Sequence, residues 1–175
     1  MRMEISSSDT VSSTTWQFLF GYTSYPAFVA PSGYSVGQAL NSTSDFIHRD
    51  SIDLLARMIY GEASNPQNSS PTQEQYGTAN VANNRKNHGK WGSSFVAVLL
   101  FPSQFTSMEG SKPQTLNPVL TSDKWKAALS AAQNYSNNNP IGSRKGFCAN
   151  SAYPPFTGCS SKLVISQTTF FDFTP

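Results

Sequence analysis

Between Asp50 and Tyr60 the apolar residues follow one spacing. Ile52, Leu55, Ala56 and Ile59 fall at i, i+3, i+4 and i+7, the stripe of a helix seated on a core, with Asp50 or Ser51 placed to cap it. Three more segments read as helices. Thr72 and Gln75 form a T-x-x-Q capping box that opens a helix running to about Lys86. "SSFVAVLLF" is a short apolar helix stopped by Pro102, and "TSDKWKAALSAAQNY" carries Trp125, Ala128, Leu129 and Ala132 on one face. After "NNNPIG" the chain turns to loops and strand-like runs, including "KLVISQTTFFDF". With 175 residues there is material for one domain with a sizeable core. The expected fold class is α+β, mainly helical, with a small β-rich C-terminal part. Residues 1–48 stand apart as a Ser/Thr- and aromatic-rich arm, leaving 49–175 as the main domain. In the arm, Trp16, Phe18, Phe20 and Tyr22 alternate as in a strand, so it either packs on the main domain or forms a leader carrying a strand.

Composition narrows the function. Charged residues make up 13% of the chain and the net charge is +2, which excludes nucleic-acid binding through a basic patch. Serine, threonine, asparagine and aromatics fill the surface instead, which suits neutral polar ligands such as sugars. No apolar run is long enough to span a membrane. "WQFLFGYTSYPAFVAPSG" is broken by Gly21 and Pro26 and preceded by Glu4 and Asp9, so it does not read as a secretory signal. Cys148 and Cys159 flank "ANSAYPPFTG" and are either a disulfide or two free thiols. His48 and His88 are far apart and neither stands at ligand spacing from a cysteine, so no zinc site is expected, and no cofactor.

One residue in the first helix is out of place. Glu62 follows "ARMIYG" at the helix end, on the edge of the apolar face between Leu55 and Met58. The macrodipole is negative there and disfavours a carboxylate by about 0.3–1 kcal/mol. Desolvation acts in the same direction, and together they favour the protonated form that a general acid requires. If the helix ends earlier, Glu62 is simply solvated.

The words around Glu62 follow a recognisable order. "LLARMIYGEA", "QYGTANVANNR", "FVAVLLFPSQFTSM" and "KAALSAAQNYSNNNPIGSRKGFCAN" together resemble the SleB/CwlJ-like cell-wall hydrolase family, which includes spore cortex-lytic enzymes. The matching positions are Ala56, Arg57, Ile59, Tyr60, Glu62 and Ala63 in the first motif and Gln75, Val81, Asn84 and Arg85 in the second. Val98, Gln104 and Phe105 match the third, and Phe147 and Asn150 the fourth, within residues 52–171. The resemblance implies a lysozyme-like or resuscitation-factor-like catalytic domain acting on the peptidoglycan glycan strand, with Glu62 as its catalytic acid. The chain departs from the family pattern at Ser64 and Asn65, where Arg-Gly is usual and a shorter loop follows, and at Thr168, where a histidine precedes an aromatic pair. Asn80 and Asn83 also replace apolar residues. These departures bear on cleft shape and substrate preference rather than on the chemistry at Glu62.

A glycosidase needs two carboxyl groups flanking the bond. Asp53 lies roughly 13 Å back along the helix and is badly placed. Glu74, beside the capping box, and Glu109, after "SQFTSM", are the candidate second carboxylates, although each also reads as a structural or solvated residue. Without one, Glu62 can act alone as a lytic transglycosylase, protonating the leaving oxygen and then deprotonating the sugar's own C6 hydroxyl; intramolecular attack gains from proximity. The resemblance points the same way, because that activity is known in the family. Gln104 is a candidate for a substrate N-acetyl or hydroxyl group, with Phe105 packed beneath its loop. Tyr60, Asn150 and Tyr153 complete the candidate substrate-binding set, Tyr60 reading equally as core and Tyr153 as a self-packed loop residue. Asn80 and Asn83 read as buried amides that bridge elements or as polar cleft groups. Competing classes are a muramidase-type hydrolase, a peptidoglycan-binding module without catalysis, and a cysteine peptidase or amidase using Cys148 with His88. Peptidoglycan lies outside the cytoplasmic membrane, in cell wall, periplasm or spore cortex, and spore-associated deposition, phage-style lysis or a dedicated secretion machine would each bring the protein to it. If the route is an antibacterial secretion machine, the producer needs an immunity protein.

Overall fold

The Asp50 side chain accepts the Asp53 N–H at 2.8 Å and so caps the first helix, α1 (Ser51–Glu62). This computed structural model describes residues 34–174, and the alternating Trp16, Phe18, Phe20 and Tyr22 lie outside them. α1 ends at Glu62, where Ala63 takes up extended backbone while its N–H still donates to the Ile59 carbonyl. Leu54, Leu55, Met58 and Ile59 are wholly buried. Each such side chain contributes about 1.5–3 kcal/mol relative to exposure.

Three helices surround α1. Thr72 and Gln75 close the expected capping box of α2 (Gln73–His88), which stops at Gly89 in the left-handed region, φ 83°. α3 (Phe95–Leu99) is capped by Ser94, and α4 (Asp123–Asn134) by Ser122. α4 lays Trp125, Ala128, Ala131 and Ala132 along α1, and the small residues allow the two helices a long, close contact. The short 3-10 turns Thr106–Glu109 and Pro113–Thr115 pack on the C-terminal end of α1.

The C-terminal part is a three-stranded antiparallel sheet, β1 (Gly146–Ala149), β2 (Ser160–Ile165) and β3 (Thr168–Asp172), with β3 in the middle. Phe170 of β3 faces Phe147 and Leu163 across the ladders and is fully buried. It packs against α2 at Gly77, where a Cβ would stand 2.7 Å from the Phe170 ring. α2 is joined to its surroundings by polar groups as well. The Asn80 amide donates to the carbonyls of Tyr76, Tyr135 and Asn138, and the Asn84 amide to those of Gly142 and Arg144. Asn80 therefore bridges elements rather than facing a cleft.

The described part of the N-terminal segment, residues 34–48, packs on this helical body. Its 3-10 turn Thr43–His48 buries Phe46 completely, and Leu40 N–H donates to the Leu116 carbonyl. Beneath it lies a buried ionic network. Asp53 accepts from Gly37 N–H at 2.7 Å and from Arg57 Nε at 2.9 Å. Arg57, fully buried, also donates to the carbonyls of Gln38, Thr115 and Leu116.

Candidate active site

Glu62 sits where α1, the Thr106–Glu109 turn and the sheet meet. Its Oε1 accepts the Ser107 backbone N–H at 2.8 Å and the Thr106 hydroxyl at 3.4 Å. Its Oε2 lies 3.8 Å from Lys112 Nζ, which also donates to the Gly61 carbonyl at 2.6 Å. Lys112 thus supplies a donor and a positive charge to the end of a helix whose last carbonyls lack partners. The carboxylate that the helix dipole disfavours is held by groups more than forty residues away in sequence.

Gly61 makes this arrangement sterically feasible. A Cβ there would stand 2.4 Å from Ser107 Cβ and 2.7 Å from Thr115 Cγ2, both on the turns that carry the partners of Glu62. Gly61→Ala is expected to destabilise the domain by about 1–3 kcal/mol, as overpacking does. It should also push Ser107 away from Glu62. Thermal unfolding and the Ser107 amide shift in solution NMR check both effects, and an unshifted amide would refute the steric coupling.

Glu62 opens on a cleft of about 370 Å³ between α2, the Gln104–Thr106 loop and the edge of the sheet. Gln104, Thr106, Phe147, Cys148 and Thr168 line it. Arg85 forms its floor. Its guanidinium donates to the carbonyls of Lys145 and Gln104 and lies 4.8 Å over the Phe105 ring, tying α2, the loop and the sheet together. Burial pushes Arg85 down to about 10, opposed by the negative charge of Glu62.

Glu74 opens on the same cleft and is 3% exposed. Its Oε1 accepts three donors: Ser64 N–H at 3.0 Å, the Ser64 hydroxyl at 2.9 Å and the Thr168 hydroxyl at 2.9 Å. Ser64 and Thr168, far apart in sequence, meet at this one carboxylate.

The other candidates are distributed differently. Gln104 lines the cleft, while Phe105 is buried beneath its loop against Phe147. Tyr60 is core, edge-on to Trp125 at 5.7 Å. Asn150 is engaged in fixing the β2–β3 turn, accepting from the Thr169 hydroxyl at 2.7 Å and donating to the Ser166 carbonyl at 3.0 Å. Tyr153 packs on Phe171 with Lys162 over its ring. Glu109 accepts from Ser103 N–H and lines a separate, apolar cavity with Leu99 and Met108. Lys112, Thr106 and Ser107 were not identified from sequence. Their link to Glu62 has no local signature, although Thr106 and Ser107 stand within the third motif.

The disulfide reading is corrected. Cys148 and Cys159 are both free thiols. Cys148 faces Thr169 on one side of β3, whereas Ser160, next to Cys159, faces Asp172 on the other. Burial, then the neighbouring Cys159, push the Cys148 thiol up, away from the thiolate a nucleophile requires. His88 packs tilted against Trp91 at 5.5 Å and is not part of the cleft. The geometry therefore provides no Cys–His pair.

No family model matches the chain, and no curated protein matches it. Among solved structures, the catalytic domain of the germination-specific lytic transglycosylase SleB from Bacillus anthracis superposes with a TM-score of 0.51 at 19% identity. The match covers 82% of this chain and 100% of that one. In fold, the chain is similar to a SleB-type catalytic domain, an α+β body of helices with a small antiparallel sheet.

Proposed function

We propose that this protein cleaves the glycan strand of peptidoglycan as a lytic transglycosylase, with Glu62 as its acid and base. The observation that carries the reading is the setting of Glu62. It is a nearly buried carboxyl group at a helix end, fixed through Oε1 by Ser107 N–H and opening on a polar cleft. The fold shared with the SleB catalytic domain supports it.

In the reaction, protonated Glu62 gives its proton to the glycosidic oxygen as the C1–O4 bond of the muramoyl residue breaks. The resulting carboxylate takes the proton of that residue's C6 hydroxyl, and O6 bonds to C1. The product is a 1,6-anhydromuramoyl end, no water is consumed, and Glu62 is protonated again. Lys112 and Ser107 N–H stabilise the carboxylate formed between the two transfers, and the fixed geometry supplies the proximity that replaces a positioned water. Such a substrate lies outside the cytoplasmic membrane. Among the described residues, no helix is long and apolar enough to cross one.

Glu74 in the same cleft favours a second reading, hydrolysis with two carboxyl groups. Mass spectrometry of purified peptidoglycan digested with the wild type separates the two. The expected products are anhydro-ended muropeptides. Reducing ends would replace the transglycosylase with a hydrolase, and an undigested substrate across several peptidoglycan types would leave a binding module.

A further inference from the structure

Glu74 is used unevenly. One oxygen is saturated by three donors, while Oε2 accepts no hydrogen bond from the described residues and is not among the enclosed unpartnered atoms. Ser64 and Glu74 also line a second cavity of about 480 Å³, bounded by the 64–73 loop and Ser166. The two cavities therefore share a wall, and the shared wall is the Ser64–Glu74 pair. Each volume lies in the range of ligand pockets, about 300–1,000 Å³. The second is lined by neutral amides and hydroxyls, among them Asn65 and Gln67. An ionised carboxylate only accepts hydrogen bonds, so Oε2 selects a donor.

We propose that the loop cavity is an additional saccharide subsite, and that Glu74 holds a hydroxyl or acetamido N–H of the amino sugar entering it. The three donors on Oε1 orient the carboxylate so that Oε2 is presented without reorganisation. Asn65 and Gln67 supply amides for the remaining sugar hydroxyls. Glu74 is here a substrate-positioning residue and takes no part in bond cleavage. The subsite lengthens the strand that the cleft recognises, and it is built at the 64–73 loop, with Ser64 and Thr168 fixing Glu74 at its wall. The proposal rests on the glycan-cleaving reading.

The test uses peptide-free glycan strands of two lengths, four and about eight sugars, titrated calorimetrically into the Glu62→Gln protein, which leaves them uncleaved. The longer strand should bind more tightly. Adding Glu74→Gln should weaken the longer strand about tenfold, the worth of one hydrogen bond to a charged group, and leave the shorter strand unchanged. Asn65→Ala with Gln67→Ala, which leaves the Glu74 carboxylate and its donors in place, should produce the same length-selective loss if Glu74→Gln perturbs folding. Equal weakening of both lengths, or none, in both variants would overturn the subsite. Wild-type cleavage of the same strands would then leave the glycan-cleaving reading standing. Failure of every length to bind, with no wild-type cleavage, would overturn both.

Discussion

Glu62→Gln is expected to lower the rate of strand cleavage by roughly 10²–10⁴-fold, the contribution of a positioned acid and base. An amide can neither deliver a proton to the glycosidic oxygen nor remove one from the C6 hydroxyl. It can still accept the Ser107 N–H that fixes Glu62 Oε1 at 2.8 Å, so the side chain should keep its position. The charge lost opposite Lys112 belongs to a pair at 3.8 Å whose lysine is about a third exposed. Such a pair is worth about 0–1 kcal/mol. A large fall in initial rate with a nearly unchanged melting temperature is therefore the expected signature. Turnover within tenfold of the wild type would remove Glu62 from the reaction.

Arg57→Ala is expected to destabilise the domain by about 3–5 kcal/mol, the cost of breaking a buried ion pair from one side. Arg57 and Asp53 are both fully buried. Without the guanidinium, Asp53 keeps Gly37 N–H and loses its close cationic partner, since Arg49 is 4.0 Å away. The carbonyls of Gln38, Thr115 and Leu116 lose their donor in the same step. Asp53→Asn with Arg57→Met should recover part of the loss, because no unpaired charge is then buried. Urea midpoints of the wild type and the two variants check this ordering. Thr115 borders the turn that carries Lys112, so Arg57→Ala should also reduce cleavage at temperatures where the variant is still folded. A loss below about 1 kcal/mol would mean that water replaces the guanidinium.

Legibility followed the physical range of the signal. α1 was readable because its apolar stripe is continuous, and its start and end carry an Asp cap and a glutamate. The start of α2 was readable from the capping box, since both its hydrogen bonds join residues three apart; its end lies at His88, two residues past the expected Lys86. The packing of α2 was not readable. Its buried face includes Glu74, Asn80 and Arg85, polar groups paired with groups of other elements, so no hydrophobic period marks it. Tyr60 illustrates the opposite case. Its side chain belongs to the Trp125 contact, as helical spacing from Glu62 suggested.

The cysteines show why spacing along the chain is a weak guide. Ten residues separate Cys148 from Cys159, yet strand order places the central strand between their flanking strands. Glu74 shows the converse. Ser64 and Thr168 are about a hundred residues apart and donate to the same oxygen.

From the sequence by itself came the helices, the caps of α1 and α2, the strand-like runs at the C-terminus and a carboxylate at the end of α1, because these rest on periodicity and on hydrogen bonds within one turn. Only the tertiary structure decided what surrounds that carboxylate: Ser107 and Lys112 on one side, Arg85 and the Ser64–Glu74–Thr168 cluster on the other. Those partners are set by helix packing, strand order and the close approach at Gly61, and contacts between residues distant in sequence leave no local pattern to read.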